Sequence, residues 1–260
     1  LDVLLPVLER LLVHVWRRTS GELVCEQARF RPWVLTSSID GLPSTVTTRE
    51  LDGLGELRFV VRGEDMRSLS AAVLAAAAKR GKSVGHLRDL DNEVLVLAPE
   101  EQYLVASGRT YFRGLGFDDV RRVQIDLETT GLDPQRDRIF LIAVRHEGGV
   151  EILEDADEAA LIASLVARVR ALDPDVIENH NLHGFDLPFL VRRAQVLGLR
   201  LPLGRLATPA LRQRPAARGV ASDQGEGRHG SRRIRYTVPG RELIDTLDAV
   251  WRYDFAAREL

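Results

Sequence analysis

Two carboxylates stand two residues apart in Val123-Gln124-Ile125-Asp126-Leu127-Glu128-Thr129-Thr130-Gly131, a run that otherwise reads as a buried strand. Side chains at i and i+2 leave the same face of a strand, so Asp126 and Glu128 project together, opposite to Ile125 and Leu127. Two strand rises hold their backbones about 6.6 Å apart. Like charges that close oppose each other's ionisation unless something positive sits between them. A divalent cation resolves that conflict. The alternative is a strand at a sheet edge whose acids are simply solvated.

A third acid stands in Asn181-Leu182-His183-Gly184-Phe185-Asp186-Leu187-Pro188. Pro188 suits the first turn of a helix, which puts Asp186 where a strand and loop enter that helix, near its positive end. If the short apolar run DVIENH lies beside VQIDLET, Asp186 reaches the same end of the sheet as Asp126 and Glu128. Such an oxygen-rich cluster, with no cysteine near, suits Mg²⁺ or Mn²⁺ rather than a tight zinc site. Two such ions about 4 Å apart activate a water and stabilise the leaving oxygen in phosphodiester cleavage.

The elements that must position these acids follow from periodicity. VRRVQIDLET, RIFLIAVRH and GVEILE are strand-like runs separated by turns at Gly131-Leu132-Asp133-Pro134 and Gly148-Gly149, which predicts an antiparallel meander. In DEAALIASLVARVRAL the apolar residues recur at helical spacing behind Asp157 and Glu158. DVIENH is a buried strand, and FDLPFLVRRAQVLG a helix ended by Gly198. Meander, helix, parallel strand, helix is the order of a ribonuclease H-like mixed sheet flanked by helices. The tail predicts a strand pair, RRIRYTV with RELIDTL, and a final helix from about Asp245. Earlier, LLVHVWRR, a turn at Thr19-Ser20-Gly21, ELVCEQARF and RFRPWVL read as β-structure, 68–80 as a helix, and NEVLVLA as a strand. The fold class is therefore α/β, with a smaller β-rich α+β domain over 1–117 and a second domain over 118–260. The glycines 108, 114 and 116 mark the connection.

IDLETTG and NLHGFDLPFLVRRA, followed by GRELID, resemble the first two exonuclease motifs of family B DNA polymerases, D-x-E and N-x3-F-D. RFRPWVL is similar to the end of that family's first N-terminal strands. The resemblance implies a 3′–5′ proofreading exonuclease that acts on single-stranded DNA 3′ ends with two metal ions. It implies that Asp126 bridges both ions, that Glu128 holds the one activating water, and that Asp186 holds the second. Asn181 and Phe185 would seat the terminal nucleotides, with Thr129 and Leu132 beside them. The family's third motif, Y-x3-D, is not found: Tyr236 is followed four residues on by Gly240, and Tyr253 by Ala257. The polymerase palm signatures are also missing. The expectation is a piece of a longer protein that carries palm, fingers and thumb, weakly active alone. The competing expectation is a non-catalytic DNA-binding or scaffolding module.

Other residues have simpler readings. His180 and His183 read as loop polar groups rather than a metal pair, and Asp245 and Asp248 as helix-start and surface acids. Leu132 is either a wedge against a terminal base or a turn leucine covering the core. Cys25 is the single cysteine, so no intramolecular disulfide or cysteine metal cluster can form, and a buried thiol is expected. The net charge of −2 argues against binding by bulk positive charge. Between Arg205 and Arg235, however, eight arginines face only Asp223 and Glu226, a segment read as a solvated insertion with DNA contact as the alternative. No run reaches the roughly 18 apolar residues of a membrane span, so a cytoplasmic location is expected.

Overall fold

The structure, a computed structural model, describes residues 7–9, 12–19, 22–206, 212–214 and 235–250. Contacts divide the chain into two units between Arg113 and Gly114. In the first, β1 (Val7–Glu9), β2 (Leu12–Thr19) and β3 (Glu22–Arg29) form an antiparallel sheet in that order. The turn expected between β2 and β3 has its Ser20 and Gly21 outside the described residues. β2 buries Val13, Val15 and Trp16, whereas β3, the outer strand, is exposed along most of its length. Cys25 lies on that outer strand and is exposed, not the buried thiol its residue type predicts.

A second sheet, in the order β5-β6-β4-β7, joins β4 (Trp33–Thr36), β5 (Thr47–Glu50), β6 (Phe59–Arg62) and β7 (Val94–Leu95). Between β6 and β7 runs α1 (Met66–Lys79), the helix expected over 68–80. Asp65 caps it by accepting from the Ser68 amide at 2.8 Å, and Gly81 (φ 84°) follows its end. α2 (Pro99–Ser107) carries the fully buried Gln102, whose Oε1 accepts from the Trp33 amide at 2.8 Å and whose carbonyl accepts from the Trp33 indole at 3.1 Å. A buried amide so placed has its hydrogen bonds met and ties α2 to β4.

The second unit opens with the expected meander. β8 (Arg122–Thr129), β9 (Ile139–His146) and β10 (Gly149–Glu154) pair antiparallel, and β11 (Val176–Asn179) joins β8 in parallel after α3 (Glu158–Leu172). α4 (Leu187–Val196) follows, with Pro188 in its first turn and Gly198 (φ 68°) beyond its end. α3 and α4 bury Leu161, Leu165, Phe189 and Leu190 in one cluster with Val123, Ile125 and Leu127 of β8. Leu165 is wholly buried there, and shortening such a leucine to alanine costs about 2–5 kcal/mol.

The tail departs from the expected strand pair. β12 (Arg212–Arg214) pairs antiparallel with β13 (Arg235–Thr237), and β14 (Glu242–Asp245) runs parallel beside β11. Among the described residues, the bridge Val238↔Arg241 is what links the two runs that were expected to pair. The apolar Leu243 of β14 gains more by entering the main sheet beside Ile177 than from a two-stranded ribbon. The sheet order β10-β9-β8-β11-β14 is the ribonuclease H-like mixed sheet. Among the described residues no helix is long and apolar enough to cross a membrane.

Candidate active site

β8 alternates as its sequence dictates: Val123, Ile125 and Leu127 are buried, whereas Asp126 and Glu128 are exposed. The carboxylates therefore leave the open side of the strand while the aliphatic residues hold it on the core. Beyond Thr129 the chain turns tightly. The Thr129 hydroxyl donates to the Gly131 carbonyl at 2.7 Å, and a Cβ on Gly131 would collide with the Asp137 carboxylate. Leu132, in this turn, is 82% exposed. It does not cover the core, because the turn carries its side chain outward.

Asp186 arrives from the other side. After β11 the chain enters a left-handed residue, Asn181 (φ 63°), and then a wide helical turn over Leu182–Asp186. The amides of Gly184 and Phe185 both donate to the Asn181 carbonyl, at 3.0 and 2.9 Å. A Cβ on Gly184 would strike the Asn181 side-chain oxygen, so a larger residue there would displace the Asn181 side chain. Phe185 rests against the core, its ring 5.5 Å from that of Phe189.

The Asp186 side chain is buried, and its Oδ1 accepts from the Leu127 amide at 3.3 Å, so it lies against β8 between the two strand acids. Burial pushes its carboxyl up to about 7, the negative Asp126 adds to the rise, and hydrogen bonds from Asn179 and Leu127 oppose it. Asn179 also donates to Asp126 Oδ1 at 3.0 Å and so spans the two acids.

The structure thus brings Asp126 and Asp186 together and sets Glu128 on the same strand face as Asp126. Among the described residues, no group of three His, Cys, Asp or Glu side chains is gathered to hold a metal ion. Asn179 was missed from sequence. Its one signal was a polar residue closing a buried strand.

His180 and His183 do not form a pair. His180 is exposed, whereas His183 accepts from the Tyr236 amide at 3.2 Å, stacks on the Tyr236 ring, and is kept below the usual histidine range chiefly by burial. Asp248 pairs with Arg235 at 3.2 Å. Asp245 is buried, and its carboxylate accepts from the amides of Asn181, His183 and Leu247 at 2.9, 3.0 and 3.0 Å.

Of the arginine-rich segment, 207–211 and 215–234 lie outside the described residues. Its first member is not solvated: the Arg205 side chain is 4% exposed and bonded to Asp173, Asp175 and the Gly240 carbonyl. A cleft of about 640 Å³ near the start of β8 is lined by Arg121, Arg122 and Arg145 but also by Asp118, Glu147 and Glu178. Those charges cancel, and the acids described above are not among its walls.

This sheet, with its two carboxylates on one strand and a third on the following helical turn, is matched by the family model described as DNA polymerase family B, exonuclease domain, over residues 119–253. The chain belongs to that family. It is 32% identical over 197 residues to DNA polymerase 2 of Aeropyrum pernix, a match covering 74% of this chain and 21% of that protein. To the DNA polymerase of Pyrococcus glycovorans it is 25% identical over 224 residues, covering 75% of this chain and 28% of the other. The structure of the family B DNA polymerase from the hyperthermophilic archaeon Pyrobaculum calidifontis shares the fold, with a TM-score of 0.66 at 21% identity, over 95% of this chain and 36% of that one. The matches thus span 21% and 28% of the length of these two relatives.

Proposed function

We propose that this chain is the proofreading 3′–5′ exonuclease portion of a family B DNA polymerase, hydrolysing the terminal phosphodiester of single-stranded DNA with Mg²⁺ or Mn²⁺. The observation that supports it is the approach of a buried acid, Asp186, to Asp126, with Asn179 spanning them at the open end of the sheet. Two like charges in an all-oxygen setting suit a hard divalent cation. Asp126, Glu128 and Asp186 would hold it, in the complete site as two ions. When bound, such ions polarise the attacking water and neutralise charge on the leaving oxygen.

The chain's own residues do the rest. Asn179 fixes the orientation of Asp126, and the Leu127 amide that of Asp186. Asn181 and Phe185 flank the position of the terminal nucleotide, and the exposed Leu132 offers an apolar surface to its base. Thr129, bonded into the turn, sets the height of Leu132. A polymerase palm, fingers and thumb would then lie on a longer chain of which this is a part.

The test follows release of nucleotide from a 3′-labelled single strand while Mn²⁺ is titrated. Metal-dependent shortening from the 3′ end is expected, and Asp126→Ala should abolish it.

A second reading, a non-catalytic DNA-binding module, is favoured by one observation: no three acids among the described residues are drawn into a metal-holding group. That reading predicts binding of the strand without shortening at any Mn²⁺ concentration. The first predicts slow but measurable loss of the label, slow because a tyrosine and a fourth acid in Y-x3-D spacing were not found.

A further inference from the structure

We infer that Asp245 is a positioning residue for Asp186: it sets the helical turn that carries the site acid and is not itself a metal ligand. The inference rests on the reading of Asp186 as a site acid and adds to it the residue that holds it in place.

The helical turn over Leu182–Asp186 has a structural problem at its start. The first amides of any helical turn lack partners within it, and the chain enters this one through a left-handed residue, so no side chain of the preceding loop caps it. Asp245 answers that need from a different strand. It closes β14 directly beside Asn179 of β11, and its carboxylate accepts from the Asn181 amide through Oδ1 and from the His183 amide through Oδ2. A third amide, that of Leu247, donates to Oδ1. Both oxygens face backbone N–H groups, and the residue is 7% exposed. An acid so engaged is already satisfied as an acceptor.

The consequence passes to Asp186, which is held at two points. Its backbone ends the turn whose start Asp245 fixes, and its carboxylate accepts from Leu127 of β8. If the start of the turn is released, its far end can drift along β8. Because Asn181 and Phe185 lie in the same stretch, the seat of the terminal nucleotide would drift with it. Asp248, three residues on, pairs instead with Arg235.

Asp245→Asn tests this. It keeps the shape but turns one acceptor into a donor that faces an amide. Hydrogen exchange read by NMR on the protein without nucleic acid should show lost protection at Asn181, His183 and, by transmission, Leu127. Exonuclease assays on the same protein should show kcat reduced by about tenfold to a hundredfold, the range expected when a reacting group is misplaced by ~1 Å. Asp173→Asn, which weakens the ion pairs of Asp173 with Arg205 and Arg241 away from the site, serves as a control matched by melting temperature and should leave kcat unchanged.

Lost protection at 181 and 183 with Leu127 still protected and kcat unchanged would overturn the inference, because Asp245 would then be merely structural. Activity abolished with all three amides protected would also overturn it, because Asp245 would then act as a ligand. A wild-type protein with no nuclease activity would defeat the functional reading alone, and the Leu127 amide would still decide whether Asp245 positions Asp186.

Discussion

At the scale of single residues the acids have unequal surroundings. Asp126 and Glu128 are exposed on the strand, while Asp186 is buried beside them. Its folded value of about 7 stands above the ordinary 3.8, chiefly through burial. In metal-free protein this group therefore favours folding most at pH below about 4, and that contribution is lost as pH rises through about 7. The melting temperature without divalent ions should fall by several degrees across that window, and Asp186→Asn should flatten the fall. A profile unchanged in the variant would mean that Asp186 is not the group responsible. Mn²⁺ added above pH 7 should restore the lost degrees by binding the ionised form, and Asp126→Ala should remove the restoration. The D-x-E alternation was legible because period two dictates which side chains share a face. The roles of Asn179 and Asp245 were not, because an amide that bridges two acids from neighbouring strands, or a carboxylate that serves backbone amides of another segment, leaves no trace in local pattern. Leu132 and Cys25 show the same limit, since their exposure depends on which surface covers them rather than on residue type.

At the scale of elements, α3 and α4 are joined by a buried pair. Arg193 donates from Nε to Glu158 at 2.8 Å and pairs through Nη2 at 2.5 Å, while Glu158 also accepts from the Ile139 amide. Burial alone would raise Glu158, but the hydrogen bonds from Arg193 and Ile139 outweigh it and hold the carboxyl below its ordinary 4.5. Stability from the pair is thus present above about pH 4.5 and lost as pH falls through the depressed folded value. Arg193→Met leaves Glu158 buried without its partner and should cost about 3–5 kcal/mol, on the order of ten degrees in melting temperature. The double variant Glu158→Met/Arg193→Met should recover most of it. If the double variant melts no higher than the single, the penalty comes from lost packing rather than from a stranded charge. The helices and the meander were readable from 3.6- and 2-residue periods. The parallel pairing of β14 with β11 was not, because it joins segments distant in sequence and depends on where Leu243 finds the larger apolar surface.

At the scale of the whole molecule, positive charge is carried almost wholly by arginine, with Lys79 and Lys82 the only lysines. The net charge of −2 conceals a local excess of arginine between 205 and 235. If those arginines meet a single strand, each neutralised phosphate contributes about −0.7 to the slope of log affinity against log salt. Deleting residues 212–230 should flatten the slope by that amount for each phosphate left without its arginine, and an unchanged slope would show that the segment takes no part in binding. Its base is firmly defined. Arg205 bonds Asp173, Asp175 and the Gly240 carbonyl, 35 positions away in sequence, while the Arg205 amide donates to Pro239 and Arg241 pairs with the same Asp173. In polymer terms this knot closes a ring, so the cost of varying the contour between the two ends grows only with its logarithm, about 0.6 kcal/mol for each doubling. A fluorescent domain spliced between Arg214 and Arg235 should therefore leave the sheet and its acids standing, and evolution can lengthen the chain between those two positions at the same small cost.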